Sequence, residues 1–477
     1  MWSLLLFYKR RTCPVPLTLV GGSASLTELI GRWGSMSSRA FGNWNEIVGM
    51  SVLRLRTVVV FAILVMFLLI TPRGAMGVLI GLGVVALYAQ YFRVPAPENW
   101  LSTDRLSWVL LAFSAYLLVN ASWSLDPRIA YMKAVYFFIV IAVLHLSFHW
   151  IATEERDVLR FALLGVLIGV SVAIIYLLIE LVTEQAIKRW VYTTFSAIRP
   201  SESKHLTMQN GVVVHIGPYD LNRNIANLML LYWPLAILLS LRFSGKRLAL
   251  AIAGSAALWA LIAFSSYHET SFIALVASLA IFLICRAWPL IGQRVLIAFW
   301  CASVVLVVPA AMLAHQAKLY QADWLPITAR ARIVLWDVTA ERVLEAPILG
   351  IGIRSTQGLH AQDLNKTTAP DGQIYPRSTG RHAHNIYLQT WYELGAVGAV
   401  FLLMIGVLIL RSFSRISEVL RPFACAAFTL MSVLAAFSWG MWQTWYVSSL
   451  AASMIFLAIA LTYAGRILSE NSEANRS

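Results

Sequence analysis

Two histidines and an asparagine stand where a long polar segment meets an apolar run. The sequence there reads His382-Ala383-His384-Asn385, and mostly apolar residues follow it. Because an imidazole titrates at about pH 6.5, His384 can take a proton from an attacking hydroxyl at neutral pH. Asn385 can orient that ring or bind a substrate hydroxyl. The alternative is an interfacial histidine with a purely structural hydrogen bond, and that alternative is stronger for His382.

Three arginines are candidate phosphate ligands. Arg223 stands at the start of another apolar run, and Arg330 and Arg332 lie in the long polar segment. Guanidinium groups match phosphate oxygens in a two-pronged geometry, which is the chemistry such a ligand needs. Since residues two apart on a helix do not share a face, only one of Arg330 and Arg332 is expected to point inward. Arginines at a membrane edge can instead simply reach the lipid headgroups.

The composition indicates the kind of scaffold that must position these residues. Of the 477 residues, 59% are hydrophobic and 13% are charged, whereas soluble proteins carry about 25% charged residues. Apolar runs recur along the chain and are long enough to cross a hydrocarbon core of about 30 Å as helices. The sequence therefore predicts an all-α, polytopic transmembrane helical bundle with about twelve spans, at 57–71, 74–92, 106–121, 130–151, 158–182, 222–241, 247–265, 270–286, 294–314, 385–410, 419–443 and 447–465.

The distribution of positive charge predicts the orientation. The net charge is +14, and lysine and arginine concentrate in alternate short connectors, as the positive-inside bias requires. Spans one to nine then occupy 57–314, spans ten to twelve occupy 385–466, and the tails 1–56 and 467–477 are cytoplasmic. The segments 183–221 and 315–384 lie outside. Membrane lipid is an expected partner and nucleic acid is not, because no recognition motif accompanies the charge.

Two features of the ends and the long loop complete this scheme. Residues 1–50 are interpreted as part of the cytoplasmic tail or as an over-long start, with Met36 or Met50 as the alternative first residue.

Within 315–384, a helix is predicted from Thr328 to Ala346, with Thr328 as its N-cap and a proline directly after its last turn. The glycines of the following segment, 349–353, suit a bend at the membrane surface.

The histidine segment also resembles a known family signature. Nine residues separate His384-Asn385 from Gly395-Ala-Val-Gly398, and this arrangement resembles that of the O-antigen ligase superfamily. Two further stretches are similar to segments of the same family. With the number of spans and the placement of the loops, the resemblance covers roughly 57–466. These stretches are Arg332-x3-Trp336 with Pro347-x2-Gly350-x-Gly352, and Asp220-Leu-Asn-Arg223-Asn-Ile-Ala226.

The resemblance implies an enzyme at the periplasmic face of a bacterial inner membrane. It would transfer a glycan from polyprenyl pyrophosphate to an acceptor hydroxyl, with inversion at the anomeric carbon. With lipid A core as the acceptor the enzyme is a ligase, and with a growing polysaccharide it is a polymerase. A protein acceptor is a third possibility. His384 would be the base, with Arg223, Arg332 and Arg330 as diphosphate ligands. Arg332 is preferred to Arg330 because it keeps the family's spacing to Trp336. His384, Arg223 and Arg332 are therefore expected to meet in one outer site.

The remaining expectations concern positioning, cofactors and a competing function. Asn385, His382 and Glu269 would position substrate, and Glu269 could equally be a structural partner. Many relatives carry a Ser-Arg pair where this chain has His268, which weakens the case for a third cation there. No cofactor and no metal are expected, since a diphosphate is already a good leaving group and no outer carboxylates cluster. The alternative is a transporter of lipid-linked sugars, which usually carries ionisable groups near the middle of the bilayer.

Overall fold

The computed structural model describes residues 52–93, 104–199, 206–359 and 366–474. The predicted N-terminal tail up to residue 51, including both alternative first residues, and residues 475–477 lie outside these ranges. The helices are α1 (Val52–Ile70), α2 (Ala75–Arg93), α3 (Arg105–Asn120), α4 (Pro127–Thr153), α5 (Arg156–Val182), α6 (Ala186–Thr194), α7 (Asn222–Leu230), α8 (Tyr232–Arg242), α9 (Gly245–Ser265), α10 (Glu269–Ala287), α11 (Pro289–Val305), α12 (Val307–Gln316), α13 (Ile327–Val343), α14 (Ser355–Leu359), α15 (Ile386–Ser412), α16 (Arg421–Phe437) and α17 (Thr444–Ala474).

Within the described residues, strands form two small antiparallel hairpins in the segments between apolar helices. The first hairpin pairs β1 (Leu206–Gln209) with β2 (Val212–Ile216). The second pairs β3 (Lys366–Thr368) with β4 (Ile374–Pro376). Single 3-10 turns at Pro72–Gly74, Pro218–Leu221 and Leu319–Gln321 shorten other connections. The predicted all-α class is confirmed.

Nine of the described helices are long and apolar enough to cross a membrane, and the number rises to eleven if each of two bent pairs is one span. The bent pairs are α7 with α8 and α11 with α12. The chain is thus a multi-pass membrane protein, as predicted. The predicted eleventh span, 419–443, corresponds to α16, which has 17 residues and is shorter than the nine spanning helices, so the count of twelve stays a prediction.

Both bends have the same cause in the sequence. The helix direction changes by 40° at Leu231 and by 69° at Leu306. In each case a proline, Pro234 or Pro309, stands three residues after the break. A proline has no N–H to donate to the carbonyl four residues earlier, and its ring clashes with that carbonyl. The sequence predicted one span over 222–241 and one over 294–314, and in the structure each is a bent pair of helices.

Close packing of α1 against α5 depends on two glycines of α5. A side chain at Gly165 would overlap the carbonyl of Val58, and one at Gly169 would lie 2.7 Å from the carbonyl of Ala62. Small residues one turn apart let helix backbones approach closely, which is a common way for membrane helices to associate. These two helices form one side of the bundle.

The loop helix α13 is close to its prediction, with a different start. It runs over Ile327–Val343 instead of 328–346, and its N-cap is Pro326. The expectation that Thr328 caps the helix is therefore wrong, since the chain has already entered the helix at that residue. The Thr328 hydroxyl instead donates to Glu269 Oε2 at 3.5 Å.

The helix α15 is broken near its start by a glycine that receives another segment of backbone. Gly395 has φ +62° and ψ −165°, which leaves N–H and carbonyl groups without helical partners. The segment from Pro347 supplies partners, since Ala396 N–H donates to the Pro347 carbonyl at 2.8 Å and Gly352 N–H donates to the Glu393 carbonyl at 3.0 Å. The long loop is thereby fixed to α15 by backbone hydrogen bonds.

Glycines are required on both sides of this junction. Gly350 has φ +68° and Gly352 has φ +94°, a region that favours glycine. A Cβ at Gly350 would overlap the backbone of Glu393, and one at Gly395 would overlap the Ile348 carbonyl. The expected bend at 349–353 is confirmed, and it explains why the two motifs carry glycines at these places.

We predict that Gly395→Ala destabilises the purified protein by at least about 2 kcal/mol, because alanine is strained in the left-handed conformation and its Cβ would overlap the docked backbone. Gly254→Ala is the matched control. Gly254 lies inside α9 with open space around it, and alanine there should be neutral or slightly stabilising. Thermal unfolding in detergent measures both; equal melting temperatures for the two variants would contradict this reading of the junction.

Candidate functional site

His384 lies directly before α15, and its ring is oriented by a backbone carbonyl. The residue has φ +51° and is half-buried. Its Nδ1 lies 2.5 Å from the carbonyl oxygen of Ser438, the residue after α16. Since a carbonyl can only accept, the ring proton is on Nδ1 and the lone pair is on Nε2. This tautomer can act as a base through Nε2.

The neighbouring residue Asn385 fixes the start of the helix. Its side-chain oxygen accepts hydrogen bonds from the N–H groups of Tyr387 at 3.0 Å and Leu388 at 3.1 Å. It is thus the N-cap of α15. That oxygen is occupied by the helix, so Asn385 holds His384 in place at the entrance of the helix.

His382 packs against His384 and is also neutral. The two ring centroids are 4.1 Å apart, and His382 Nε2 is buried without a hydrogen-bond partner in the described chain. Burial lowers the pKa of His382 to about 3, and electrostatic interactions with His384 and Arg332 add to that effect. A Cβ at Gly440 would lie 2.8 Å from the His382 side chain, so glycine lets the 438–443 segment approach.

Two residues of α13, one turn apart, explain the Arg-x3-Trp spacing. Trp336 Nε1 donates to the carbonyl of Ala383 at 2.8 Å, which fastens the histidine segment to the loop helix. Arg332, on the preceding turn, exerts its positive charge on His382 and His384. Burial lowers the pKa of Arg332 and Glu269 opposes the shift. We call His268, His382, His384 and Arg332 the histidine site.

The electrostatics of the histidine site keep His384 unprotonated at neutral pH. Burial lowers the pKa of His384, and the positive charge of Arg332 lowers it further. The hydrogen bond to the Ser438 carbonyl favours the protonated ring and acts in the opposite direction. The result is a neutral imidazole beside a cation, an arrangement in which a proton acceptor and an anion ligand coexist.

His268, which the sequence analysis noted only as a departure, belongs to this site. Its Nδ1 lies 2.6 Å from the hydroxyl of Ser271, and its ring lies 5.5 Å from that of Trp439. Burial lowers the pKa of His268 to about 4, and Arg332 adds to this. The adjacent Glu269 is the carboxylate whose charge acts on Arg332, so both residues of this connector reach the site.

Arg223 is joined to the histidine site through aromatic rings. Its guanidinium lies 5.3 Å from the ring centroid of Trp445, a cation–π contact. The ring of Trp445 lies 4.7 Å from that of Trp439, which in turn packs against His268. The two tryptophans thus connect Arg223 to His268, a contact that no sequence pattern indicated.

Arg330 has a different environment from Arg332. Its Nε donates to the Tyr320 carbonyl at 2.7 Å, and its Nη2 contacts Asp371 Oδ2 at 2.8 Å. Its guanidinium also lies 5.8 Å from the ring of Tyr375. Arg330 therefore crosslinks the long loop, whereas Arg332 faces the histidines.

Glu393, which no sequence pattern indicated, connects the segments that hold the site. It is completely buried and accepts hydrogen bonds from the N–H (3.2 Å) and hydroxyl (2.6 Å) of Thr356. Gln389 Nε2 at 3.3 Å and Trp442 Nε1 are further donors. Glu393 thus joins the docked loop, α15 and the 438–443 segment that carries the Ser438 carbonyl.

The 438–443 segment itself corrects the predicted span 419–443. The helix α16 ends at Phe437, and the chain then runs as Ser438-Trp439-Gly440-Met441-Trp442-Gln443. Met441 N–H donates to Gln389 Oε1 at 3.2 Å. The glycine and the flanking polar residues were the available signal, but the high hydrophobicity on both sides concealed the break.

Comparison with known proteins finds a family match over part of the chain. Residues 253–403 match the family model described as O-antigen ligase. This stretch is therefore identified as an O-antigen ligase domain. The matched stretch contains all four residues of the histidine site and the Gly395 junction. The resemblance seen in the sequence is confirmed.

Curated relatives agree with this assignment over a shorter stretch. A protein of Rickettsia conorii named "Putative polysaccharide ligase" is 28% identical over 123 residues, which is 26% of this chain and 29% of the relative. Proteins with the same description from Rickettsia typhi and Rickettsia felis are 26% identical over 123 residues, 30% of each relative. This chain therefore aligns with less than a third of the length of the relatives that it matches.

No group of three or more His, Cys, Asp or Glu side chains is placed to hold a metal ion within the described residues. The expectation of a reaction without metal or other cofactor stays a prediction. The histidine site offers neutral imidazole nitrogens and a guanidinium, and guanidinium groups bind phosphate oxygens directly.

We predict that Glu393→Gln lowers stability by about 2 kcal/mol, because every group that contacts this carboxylate can donate and the new amide would face one of them. Thermal unfolding of the purified protein measures the change. Glu345→Gln is the control, since Glu345 makes only a surface ion pair with Arg342 and its loss should matter by less than about 1 kcal/mol. Unchanged stability of the Glu393 variant would show that the buried network does not hold the segments together.

Proposed function

We propose that this protein transfers a glycan from a polyprenyl-pyrophosphate carrier to an acceptor hydroxyl at the periplasmic face of the bacterial inner membrane. The observation that carries the proposal is the orientation of His384. Its Nδ1–H is committed to the Ser438 carbonyl, its Nε2 is free to take a proton, and Arg332 acts on the same ring. The superfamily assignment supports glycan transfer as the reaction class.

In the proposed reaction, His384 Nε2 removes the proton of the acceptor hydroxyl. The acceptor oxygen then forms a bond to the anomeric carbon while the bond from that carbon to the diphosphate oxygen breaks, with inversion. Arg332 and Arg223 stabilise the negative charge that grows on the leaving lipid diphosphate. Since this leaving group is already good, the reaction uses no metal.

The supporting residues act through position. His382 packs on His384 and Asn385 fixes the helix start, so both hold the base. We assign contact with the acceptor to Glu269, and its position beside Thr328 and Arg332 supports this role. Arg330 is assigned to the organisation of the loop, because Asp371 and the Tyr320 carbonyl occupy its donors, and the diphosphate role that the sequence suggested for it is secondary.

The two ends of α4 support a periplasmic location of the site. At its first end, Leu125 N–H donates to Ser355 Oγ beside the docked loop at 3.0 Å. At its other end, Arg466 donates to the carbonyls of Ala152 and Glu154. Arg156 ion-pairs with Glu470 at that same end. Arg156 and Arg466 thus lie at the end of α4 opposite the docked loop, and arginines at helix ends are typical of a cytoplasmic face.

The proposed acceptor is either lipid A core or a growing polysaccharide. Reconstitution with a polyprenyl-pyrophosphate oligosaccharide, offered either lipid A core or a second donor molecule, tests this. Product mobility on gels separates ligation from polymerisation. If the His384→Ala protein instead moved radiolabelled lipid-linked sugar across vesicles at the wild-type rate, the transporter alternative would replace the enzyme.

We predict that His384→Ala lowers the rate of glycan transfer by at least about 100-fold, since a positioned general base contributes at least this much. The variant should still insert and unfold like the wild type. His215→Ala is the control, because His215 is exposed on β2 and should retain full activity. Wild-type turnover by the His384 variant would remove this residue from the mechanism.

Arg332→Lys should lower the rate by at least about tenfold, because lysine keeps the charge but lacks the two-pronged donor geometry. Arg342→Lys, on the last turn of the same helix, is the matched control and should be active. Transfer assays with the reconstituted donor measure both. A fully active Arg332→Lys protein would count against a diphosphate ligand at this position.

A further inference from the structure

The chain turns sharply at Tyr267, between α9 and α10. The N–H of Tyr267 donates to the Phe264 carbonyl at 3.0 Å. The N–H of His268 donates to the Ala263 carbonyl, also at 3.0 Å. These two hydrogen bonds form a Schellman motif, in which the residue after the C-cap is left-handed and is usually glycine. Tyr267 holds that position, with φ +57°.

A tyrosine in this conformation is strained, and the core of the protein gains little from it. A left-handed backbone is rare for a bulky residue, because its Cβ crowds the neighbouring carbonyl. Tyr267 is 64% exposed, so burial of its ring does not compensate for the strain. Backbone strain is concentrated at functional sites, and the proposed base His384, with φ +51°, is a second example in this protein. The strain therefore favours a role for the exposed ring.

The ring of Tyr267 has an aromatic partner from another connector. Tyr219 is 48% exposed, and its ring centroid lies 6.0 Å from that of Tyr267, with the ring planes inclined by 40°. Tyr219 belongs to the 3-10 turn Pro218–Leu221, which leads directly into α7 and Arg223. We call Tyr219 and Tyr267 the tyrosine pair. It joins the connector that carries Arg223 to the connector that carries His268.

The neighbours of the tyrosine pair place it at the edge of the histidine site. His268, the next residue after Tyr267, is buried in that site, so the connector directs one side chain inward and the other outward. Glu269 follows and is exposed, and its carboxylate can accept hydrogen bonds from hydroxyl groups. A carboxylate is costly among acyl chains. A ligand with both hydroxyl groups and an apolar face therefore fits this edge better than a lipid tail.

We propose that the tyrosine pair binds a sugar ring of the glycan by stacking, at the outer edge of the histidine site. The C–H bonds on one face of a pyranose carry partial positive charge, and the faces of aromatic rings are negative. Glu269 accepts hydrogen bonds from hydroxyl groups of the same sugar, in keeping with its assigned contact with the acceptor. The assignment of this sugar to a transferred or an accepting glycan rests on the proposed function, since both present the same chemistry.

Binding without turnover, to the full-length protein in nanodiscs of phosphatidylcholine, tests the sugar site. The probes are a polyprenyl-pyrophosphate oligosaccharide, the same carrier without sugar, and the oligosaccharide of lipid A core. Tyr267→Gly should weaken the affinity for a sugar-bearing probe by about tenfold and leave the affinity for the bare carrier unchanged. Its melting temperature should equal or exceed that of the wild type, because glycine suits the left-handed backbone.

Further variants separate the ring from the backbone. Tyr267→Asn also lacks the ring and tolerates the left-handed conformation, so it should behave like Tyr267→Gly. Tyr267→Phe keeps the ring and should bind sugar about as well as the wild type. Tyr219→Ala should lose affinity for the same probe as Tyr267→Gly. Tyr131→Ala is the control with wild-type affinity, because Tyr131 is also an exposed tyrosine, near the start of α4.

Each outcome decides the question. A loss with the lipid-linked oligosaccharide assigns the sugar to the donor, and a loss with the core oligosaccharide assigns it to the acceptor. An equal loss with the bare carrier would make the rings membrane anchors and would overturn the sugar site. Wild-type affinity of Tyr267→Gly or Tyr219→Ala for every sugar-bearing probe, or an equal loss in Tyr131→Ala, would also overturn it.

Two further results bear on the fold and on the reaction. A lower melting temperature of both Tyr267→Gly and Tyr267→Asn would show that the tyrosine serves the fold, and the sugar site would be overturned. If the wild-type protein transferred no glycan while both variants still lost sugar binding, the proposed function would fail and the sugar site would stand.

Discussion

The arrangement of the site depends on one backbone junction, where the segment from Pro347 to Gly352 docks into the break of α15 at Gly395. Neither partner can form this contact alone, because the helix break leaves polar groups that the apolar surroundings cannot satisfy. The docked segment satisfies them with its own N–H and carbonyl groups. Side chains at Gly350 or Gly395 would occupy the space of the opposing backbone.

From this junction the geometry extends in two directions. Upstream, the docked loop fixes the end of α13, which brings Trp336 to the Ala383 carbonyl and Arg332 to the histidines. Downstream, Glu393 and Gln389 hold the 438–443 segment through Trp442 and Met441. That segment presents the Ser438 carbonyl that selects the tautomer of His384. A base on the long loop is thereby given the rigidity of the membrane helices.

Sequence patterns predicted the parts that depend on hydrophobicity and on motif spacing. Apolar runs located the long helices, and the glycines of 349–353 predicted a bend, because φ above zero restricts the residue type. Patterns could not find the bends at Leu231 and Leu306, since each proline lies within an unbroken apolar run. Glu393 and Ser438 were missed for another reason: one is a single acid in an apolar helix, and the other acts through its carbonyl, which every residue has. The partners of Arg330 and Arg332 depend on tertiary contacts that spacing alone does not reveal.

The central claim is that His384 acts as a neutral base in the field of Arg332, and the pH dependence of glycan transfer tests it most directly. Burial and Arg332 lower the pKa of His384, so the neutral, active ring should persist as the pH falls and the rate should decline only below about pH 6.5. In Arg332→Gln one cause of the lowering is gone, so the pKa rises and the decline of the residual rate should begin at a higher pH. Two results would contradict the account. One is a decline of the rate at the same pH in the wild type and Arg332→Gln, and the other is a decline at that pH that persists in His384→Ala.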